Sequence, residues 1–231
     1  MKRYTLVLGI SLALLVLGTA YAQSPGHSTA FGKTLGEWME LDALWRLGGD
    51  QDNPEGKMVF LPDITSPEAN DGEWSYDEGS NTWTYAAAID VTLEPGQKFA
   101  MPLIFFYGEA YEDGSEDDPD AFDWEALFAP YQIGVWLDGL QIIDSADDDY
   151  DDYWYDAQYF DEVIEYDETT QTGAIGITFV TGYGFVHHPL SKGDHQLVWN
   201  LYVADADTGF GYNLANQLTL NIEVAKKAKK K

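Results

Sequence analysis

The sequence predicts a mainly β protein: an antiparallel β-sandwich, jelly-roll or Ig-like, with one N-terminal α-helix and long acidic loops. Three observations predict it. Beyond residue 50 the apolar residues recur with period two in short runs, turn chemistry separates those runs, and helical spacing is confined to residues 34–47. Nothing in the chain alternates strand and helix in the way a parallel α/β sheet requires.

The chain opens on an address. Lys2 and Arg3 precede the apolar run LVLGISLALLVL, and Ala20-Tyr21-Ala22 puts small residues where a signal peptidase reads them. The run is shorter than the roughly 20 apolar residues of a membrane span, so residues 1–22 read as a signal peptide cleaved after Ala22. The expected product is exported, to the periplasm, the cell surface or the medium. Residues 23–50 form a leader and helix, 51–225 the sandwich domain, and 226–231 a basic tail without fixed structure.

The helix is announced by Thr34 and Glu37, which fit a capping box in which each side chain satisfies the other's backbone N–H. Leu35, Trp38, Met39, Asp42 and Trp45 follow at helical spacing, and Gly48-Gly49 supplies the stop. Leu35, Trp38 and Trp45 are expected to pack on the body. In the first long strand, TWTYAAAIDVTL, Tyr85, Ala87, Ile89, Val91 and Leu93 share a face, and Glu94-Pro95-Gly96 turns the chain. KFAMPLIFFYG is apolar on both faces, with Pro102 marking an edge or a bulge. YQIGVWLDGLQIID is two strands joined by Asp138-Gly139, a strong hairpin signal. AIGITFVTG, DHQLVWNLYVA and NQLTLNIEV complete the set. The last places Leu218, Leu220, Ile222 and Val224 inside and Thr219, Asn221 and Glu223 outside. Residues 62–81 and 108–130 lack a strong pattern, the second reading as a long loop with a short helix near 120–128.

Composition narrows the function. The formal net charge is −28, and between residues 23 and 225 only Lys33, Arg46, Lys57, Lys98 and Lys192 face all 40 carboxylates. Such a field repels phosphate backbones, which excludes nucleic acid as a partner of the body, and it attracts cations or basic partners. Cysteine is absent, so disulfides, thiol nucleophiles and Cys-ligated zinc are excluded.

Residues 147–168, DDDYDDYWYDAQYFDEVIEYDE, collect eleven carboxylates and seven rings. The run is expected to be mainly a loop with extended pieces. Asp147, Asp149 and Asp151 would share one side, with Asp148 and Asp152 opposite. A hard cation relieves such crowding, so Asp147, Asp149, Asp151 and Asp152 are the candidate Ca²⁺ ligands, although no EF-hand spacing is present. DADTG at 205–209 has two of the acids of such a loop, but its glycine comes one position early. Tyr153, Trp154, Tyr155 and Tyr159 are the candidate glycan platform, their faces meeting sugar C–H groups while carboxylates accept sugar hydroxyls. The bland alternative is a solvated acidic loop whose rings cover the core.

His187 or His188 could approach His195 across the turn at 189–194 and, with a carboxylate, hold a metal. Serine-hydrolase, metalloprotease and phosphate-loop motifs are missing. The sequence therefore reads as an exported acidic binding or surface-interaction protein, Ca²⁺-assisted or glycan-binding. A carboxylate-dependent glycoside hydrolase is the alternative, which needs two acids held about 5–9 Å apart, one of them with a raised pKa.

The segments GKTLGEWMELDALWRLGGD, YFDEVIEYDETT and GFVHHPLSKGDHQLVWNLYV together resemble a family of uncharacterised secreted bacterial proteins, over about residues 32–222. That resemblance implies a β-sandwich and carries no activity and no site residues.

Overall fold

The computed structural model describes residues 29–47, 57–209 and 211–225. The proposed signal peptide, the Gly48-Gly49 stop and the basic tail lie outside them. A two-residue hairpin, β1 (Thr29–Ala30) and β2 (Lys33–Thr34), leads into helix α1 (Leu35–Leu47). The capping box forms: the Thr34 N–H donates to Glu37 Oε2 at 2.6 Å and the Glu37 N–H donates to Thr34 Oγ1 at 3.2 Å.

Two sheets make the body. The smaller comprises β3 (Met58–Phe60), β6 (Lys98–Tyr111), β10 (Ala174–His187) and β9 (Trp154–Glu165), hydrogen-bonded in that order. The larger orders β4 (Glu73–Asp77), β5 (Thr82–Leu93), β12 (Asn213–Val224), β11 (Gly193–Val203), β7 (Tyr131–Leu137) and β8 (Leu140–Asp144). Between β7 and β8, Asp138 and Gly139 both take positive φ, 52° and 79°, which is the tight hairpin turn the sequence announces.

The period-two pattern sorts the faces as expected. Leu197, Trp199, Leu201 and Val203 from β11 and Leu218, Leu220, Ile222 and Val224 from β12 are buried, and they share one core with Phe99, Met101, Leu103 and Phe185 of the smaller sheet. A second core lies on the other side of the smaller sheet. There α1 lays Leu35, Trp38, Met39 and Ala43 against Ala100, Tyr155, Ile177 and Val180. The Trp38 indole N–H reaches the Ala30 carbonyl at 2.7 Å, tying helix to hairpin. Among the described residues no helix is long and apolar enough to cross a membrane.

Two expectations are corrected. The sheets are mixed, not antiparallel throughout: β12 runs parallel to β5 over its whole length, and β3 is parallel to β6. Most of the chain separates β5 from β12, so no hairpin obliges them to run in opposite directions. Second, the acidic run is mostly strand. Only residues 147–153 form turns and a 3₁₀ helix (Tyr150–Tyr153), and Trp154–Glu165 is the edge strand β9. On it Tyr155 and Phe160 point inward while carboxylates face water, an alternation masked by the density of acids. Residues 62–81, which lack a strong pattern in the sequence, hold a strand. Residues 73–77 form β4, whose five side chains are all exposed and so leave no hydrophobic alternation to read.

Pro102 sits where β6 slips register against β10, with Tyr183 opposite Ile104 and Gly184 opposite Pro102, so a bulge absorbs the missing N–H. The 108–130 segment carries the expected short helix α2 (Trp124–Phe128). Its rings Phe122 and Trp124 stack at 4.8 Å and meet Phe106 of β6, while Phe128 meets Trp154 and Tyr183, pinning the acidic loop to the end of the core. The helical turn α3 (Asp205–Thr208) ends on Gly209 at φ 68°, so DADTG is a capped turn.

Candidate functional site

Layering decides what is available for binding. One face of the smaller sheet packs on α1, and the other shares the core with the larger sheet. Among the described residues, no layer covers the outward side chains of β5, β12, β11 and β7.

The expected glycan platform does not assemble. Tyr153 and Tyr155 are 8% and 2% exposed, so neither can offer a ring face. Trp154 is half-buried between Trp124, Phe128 and Tyr183, and its indole N–H is donated to Asp156 at 3.0 Å. Tyr159 alone is open, at 58%, leaning on Phe179. The candidate Ca²⁺ ligands fare similarly. Asp147, Asp149, Asp151 and Asp152 lie in successive tight turns, not in an extended stretch, and among the described residues no three His, Asp or Glu side chains converge as metal ligands. Burial drives the Tyr153 hydroxyl up to about 12, with the neighbouring aspartates adding to it, so this ring is a neutral cover over the core.

His187 and His195 do not meet in a site. His187 is buried, stacked on Phe99 at 4.9 Å, and burial holds its pKa below the ordinary histidine value. His195 stands between two turns. Its Nδ1 lies 2.7 Å from Asp138 Oδ2, and its Nε2 lies 3.2 Å from Ser191 Oγ. These are triad distances, but the chemistry is different. Nε2 also lies 3.0 Å from the Ser191 carbonyl, which can only accept. An Nε2 that donates there has no lone pair for the serine proton, and the Asp138 carboxylate holds a proton on Nδ1. The partners thus favour the doubly protonated ring. Partial burial pulls its pKa down, but the Asp138 and Ser191 acceptors outweigh this and leave it raised. Asp138 Oδ1 takes the Gln196 N–H at 2.9 Å, so the arrangement clips the β7–β8 turn to the start of β11.

The outward face of the larger sheet offers more. One cross-strand row reads Ala86, Gln217, Asn200, Gly134 and the next Ala88, Thr219, Val198, Trp136, with Gln141 opposite Trp136 on β8. On the other side of the first row lie Thr84, Ala215, Tyr202 and Gln132. These three rows from β5 to β7 contain no carboxylate and no cationic side chain in a chain of net charge −28. Over β7, β8 and β11 the surface dips into a groove of about 720 Å³ that Trp136, Tyr202, Asn200, Gln132 and Gln141 help to line. Its volume falls within the ~300–1,000 Å³ usual for small-ligand sites. The one carboxylate there, Asp144, is engaged by the Gln141 amide at 2.7 Å and the Ala146 N–H at 2.9 Å.

Trp136 owes its posture to Gly134. A Cβ at position 134 would stand 2.3 Å from Cη2 of Trp136 and 2.6 Å from Cζ3, so the six-membered ring packs directly against the bare backbone of its own strand. The indole is half-buried. At the far end of this face an amide relay runs across the strands, Gln196 to Asn221 at 3.4 Å and Asn221 to Asp90 at 3.0 Å. Beyond it Asp194 and Glu223 turn the surface acidic.

A second aromatic group stands at the rim, where β4 pairs with β5. Trp74, Tyr76 and Trp83 are 58%, 44% and 39% exposed. Their rings meet at 33° and 73°, which makes a wedge and not a flat platform.

Sequence reading passed over Trp136, Tyr202, Asn200 and Gly134 as ordinary strand residues. The available signal was charge: outward strand positions filled by amides and small hydroxyls in a chain otherwise crowded with carboxylates.

No family model matches the chain, and no curated protein matches it, so the motif resemblance stands without a family assignment. One solved structure the chain is similar to is "Structure of PbICP-C in complex with falcipain-2", at 12% identity over 73% of this chain and 100% of that chain, with a TM-score of 0.22. A likeness of that degree carries no argument about fold or activity.

Proposed function

We propose that the protein is an exported glycan-binding protein, a β-sandwich of the Ig-like or jelly-roll type that takes uncharged sugar chains on the outer face of its larger sheet. The observation that carries this reading is the Trp136 ring packed against Gly134 in a groove lined by amides and a tyrosine, whose one carboxylate, Asp144, is held by hydrogen bonds from Gln141 and Ala146. Sugars present both an apolar face of C–H groups and a rim of hydroxyls. A flat indole suits the first, and amides, which donate and accept at once, suit the second. Neutrality favours the same ligand class. A sulfated or uronic polymer would meet Asp144 in the groove, Asp90, Asp194 and Glu223 toward the far end of the same face, and the repulsion of the whole chain, whereas an uncharged chain is repelled by none of them. Export is part of the proposal and fits the leader over residues 1–22.

Isothermal titration against a panel of neutral and anionic polysaccharides tests it. Saturable binding to at least one neutral polymer is expected, lost in Trp136→Ala and weakened in Gln217→Glu, which adds one charge at nearly constant shape. No binding across the panel, or binding that survives Trp136→Ala, overturns the reading.

A further inference from the structure

Beneath α1 lies a cluster that the glycan reading does not use. Asp42 and Asp63 are both buried, 3% and 5% exposed, and one guanidinium serves them both. Arg46 Nε and Nη2 donate to the two oxygens of Asp42 at 2.7 and 3.1 Å, and Nη1 lies 3.1 Å from Asp63 Oδ1. The remaining donors go to Ser66 Oγ at 2.9 Å and the Leu61 carbonyl at 2.6 Å, so Arg46 has none to spare. We infer that this cluster is a proton-binding site, and that uptake of one proton when α1 docks makes the helix a pH-sensitive latch over the smaller sheet.

The count of charges drives the inference. Two carboxylates and one guanidinium leave a net charge of −1 where desolvation is severe, and a proton removes it. Among the described residues the surroundings offer no other cation. On α1 the charged neighbour is Arg46, and on the segment after β3 it is Asp63. From β6 and β9 come the phenols Tyr107 and Tyr155, and β10 adds the apolar Ile177 and Val180. Asp63 gathers its donors on one oxygen: Thr65 N–H at 2.8 Å and Thr65 Oγ1 at 2.7 Å join Arg46 on Oδ1. Asp63 Oδ2 and the Tyr155 hydroxyl have no hydrogen-bond partner among the described residues. Asp42 is the group that gives way. Burial, opposed by Arg46 and helped by the charge of Asp63, lifts its pKa from 3.8 to about 6.

An acid whose folded pKa is raised stabilises docking most fully below its unfolded value and loses that contribution as pH rises through the folded one. From pH 5 to pH 7 the opening equilibrium of α1 should therefore increase about tenfold. Melting the whole protein would mix this with His195, whose raised pKa acts in the same direction, so the readout must be local.

The experiment is hydrogen exchange of the α1 amides between pH 5 and pH 7, corrected for intrinsic chemistry, on the wild type, Asp42→Asn and Asp63→Asn. Wild-type protection should fall about tenfold. Asp42→Asn carries the neutral form at every pH and should fall far less than the wild type, the remainder coming from Glu40 of α1, whose pKa burial and the charge of Asp161 also raise. Asp63→Asn leaves one carboxylate for one guanidinium and should flatten as well. Constant protection in the wild type, or an equal fall in either variant, overturns the inference. Should a variant not fold, carbon-detected titration of the wild-type Asp42 carboxyl decides alone. A midpoint near 6 supports the latch, and one in the ordinary carboxylate range refutes it.

Discussion

Gly134→Ala tests the site without touching a group that could bond to a ligand. The added methyl would stand 2.3 Å from Cη2 of Trp136, where carbon atoms in contact rest about 3.5–4.0 Å apart. The backbone cannot retreat, because β7 is held by β11 on one side and β8 on the other. The indole is half-buried and has solvent above it, so the ring yields, lifting or swinging off the strand. An indole buries on the order of 200 Å² when enclosed. A sugar laid on one face covers about a third of that, which at ~25 cal/mol/Å² is roughly 1.5 kcal/mol, or about tenfold in Kd. The variant should therefore bind a neutral polysaccharide about tenfold more weakly, with Trp136 emission shifted to the red. The fold should lose only about 1 kcal/mol, toward the low end for overpacking, because the strain escapes to solvent. Titration calorimetry and urea unfolding read the two quantities separately. An unchanged Kd together with a red-shifted Trp136 would refute the reasoning, since the ring would have left its seat without cost to the ligand.

Other consequences can be read at the bench. His195 should titrate above the ordinary histidine value by NMR of its ring protons and move down in Asp138→Asn, which removes the carboxylate on Nδ1; the clip it forms is present in mild acid and lost as pH rises through that raised pKa. Thr34→Ala removes one half of the capping box and should cost about 1 kcal/mol in urea unfolding, with no effect on glycan binding. Thermal melting in EDTA, Ca²⁺ and Mg²⁺ at matched ionic strength should show the two ions acting alike, because Asp147, Asp149, Asp151 and Asp152 are not gathered around a common point; a Ca²⁺-specific rise matching about 2.7 kcal/mol at 100-fold excess over Kd would mean that the turn rearranges around the ion. Replacing Trp74 and Trp83 together by serine should leave glycan affinity unchanged, since that wedge is on the core-facing side of the sheet.

Much of this fold was legible because burial writes itself as periodicity. Leu197 to Val203 and Leu218 to Val224 alternate cleanly, and both strands lie where the alternation puts them. Asp138-Gly139 announced its turn because few residue pairs tolerate positive φ twice running. Partner choice was not legible. Nothing local to β5 or β12 says that they pair in parallel, because that is decided by how intervening strands fill the sheet. The acidic run misled for a related reason. In β9 the inward Tyr155 and Phe160 are diluted by exposed carboxylates, and a bulge between Tyr159 and Ile164 breaks the count. For the site the reading went to the densest acids and rings, and those rings proved to be cover for the core. Trp136 and Tyr202 were seen only as members of strands, since a face that lacks charge leaves nothing to catch the eye in a linear sequence.

The absence of charge on that face is nonetheless a physical statement. An outward strand position costs little to fill with Asp or Glu, and this chain does so on β9, at the acidic end of the larger sheet and along its loops. A flat sheet face without charge is a hazard for a soluble protein, because it invites stacking of one copy on another. The chain meets that hazard with self-repulsion, for two copies approaching face to face bring a formal −28 each into proximity. The same field does not oppose an uncharged polymer. On the proposed reading, acidity and the uncharged rows are two parts of one arrangement: the carboxylates oppose the stacking of one copy on another, and the uncharged rows leave the face open to a ligand that carries no charge of its own.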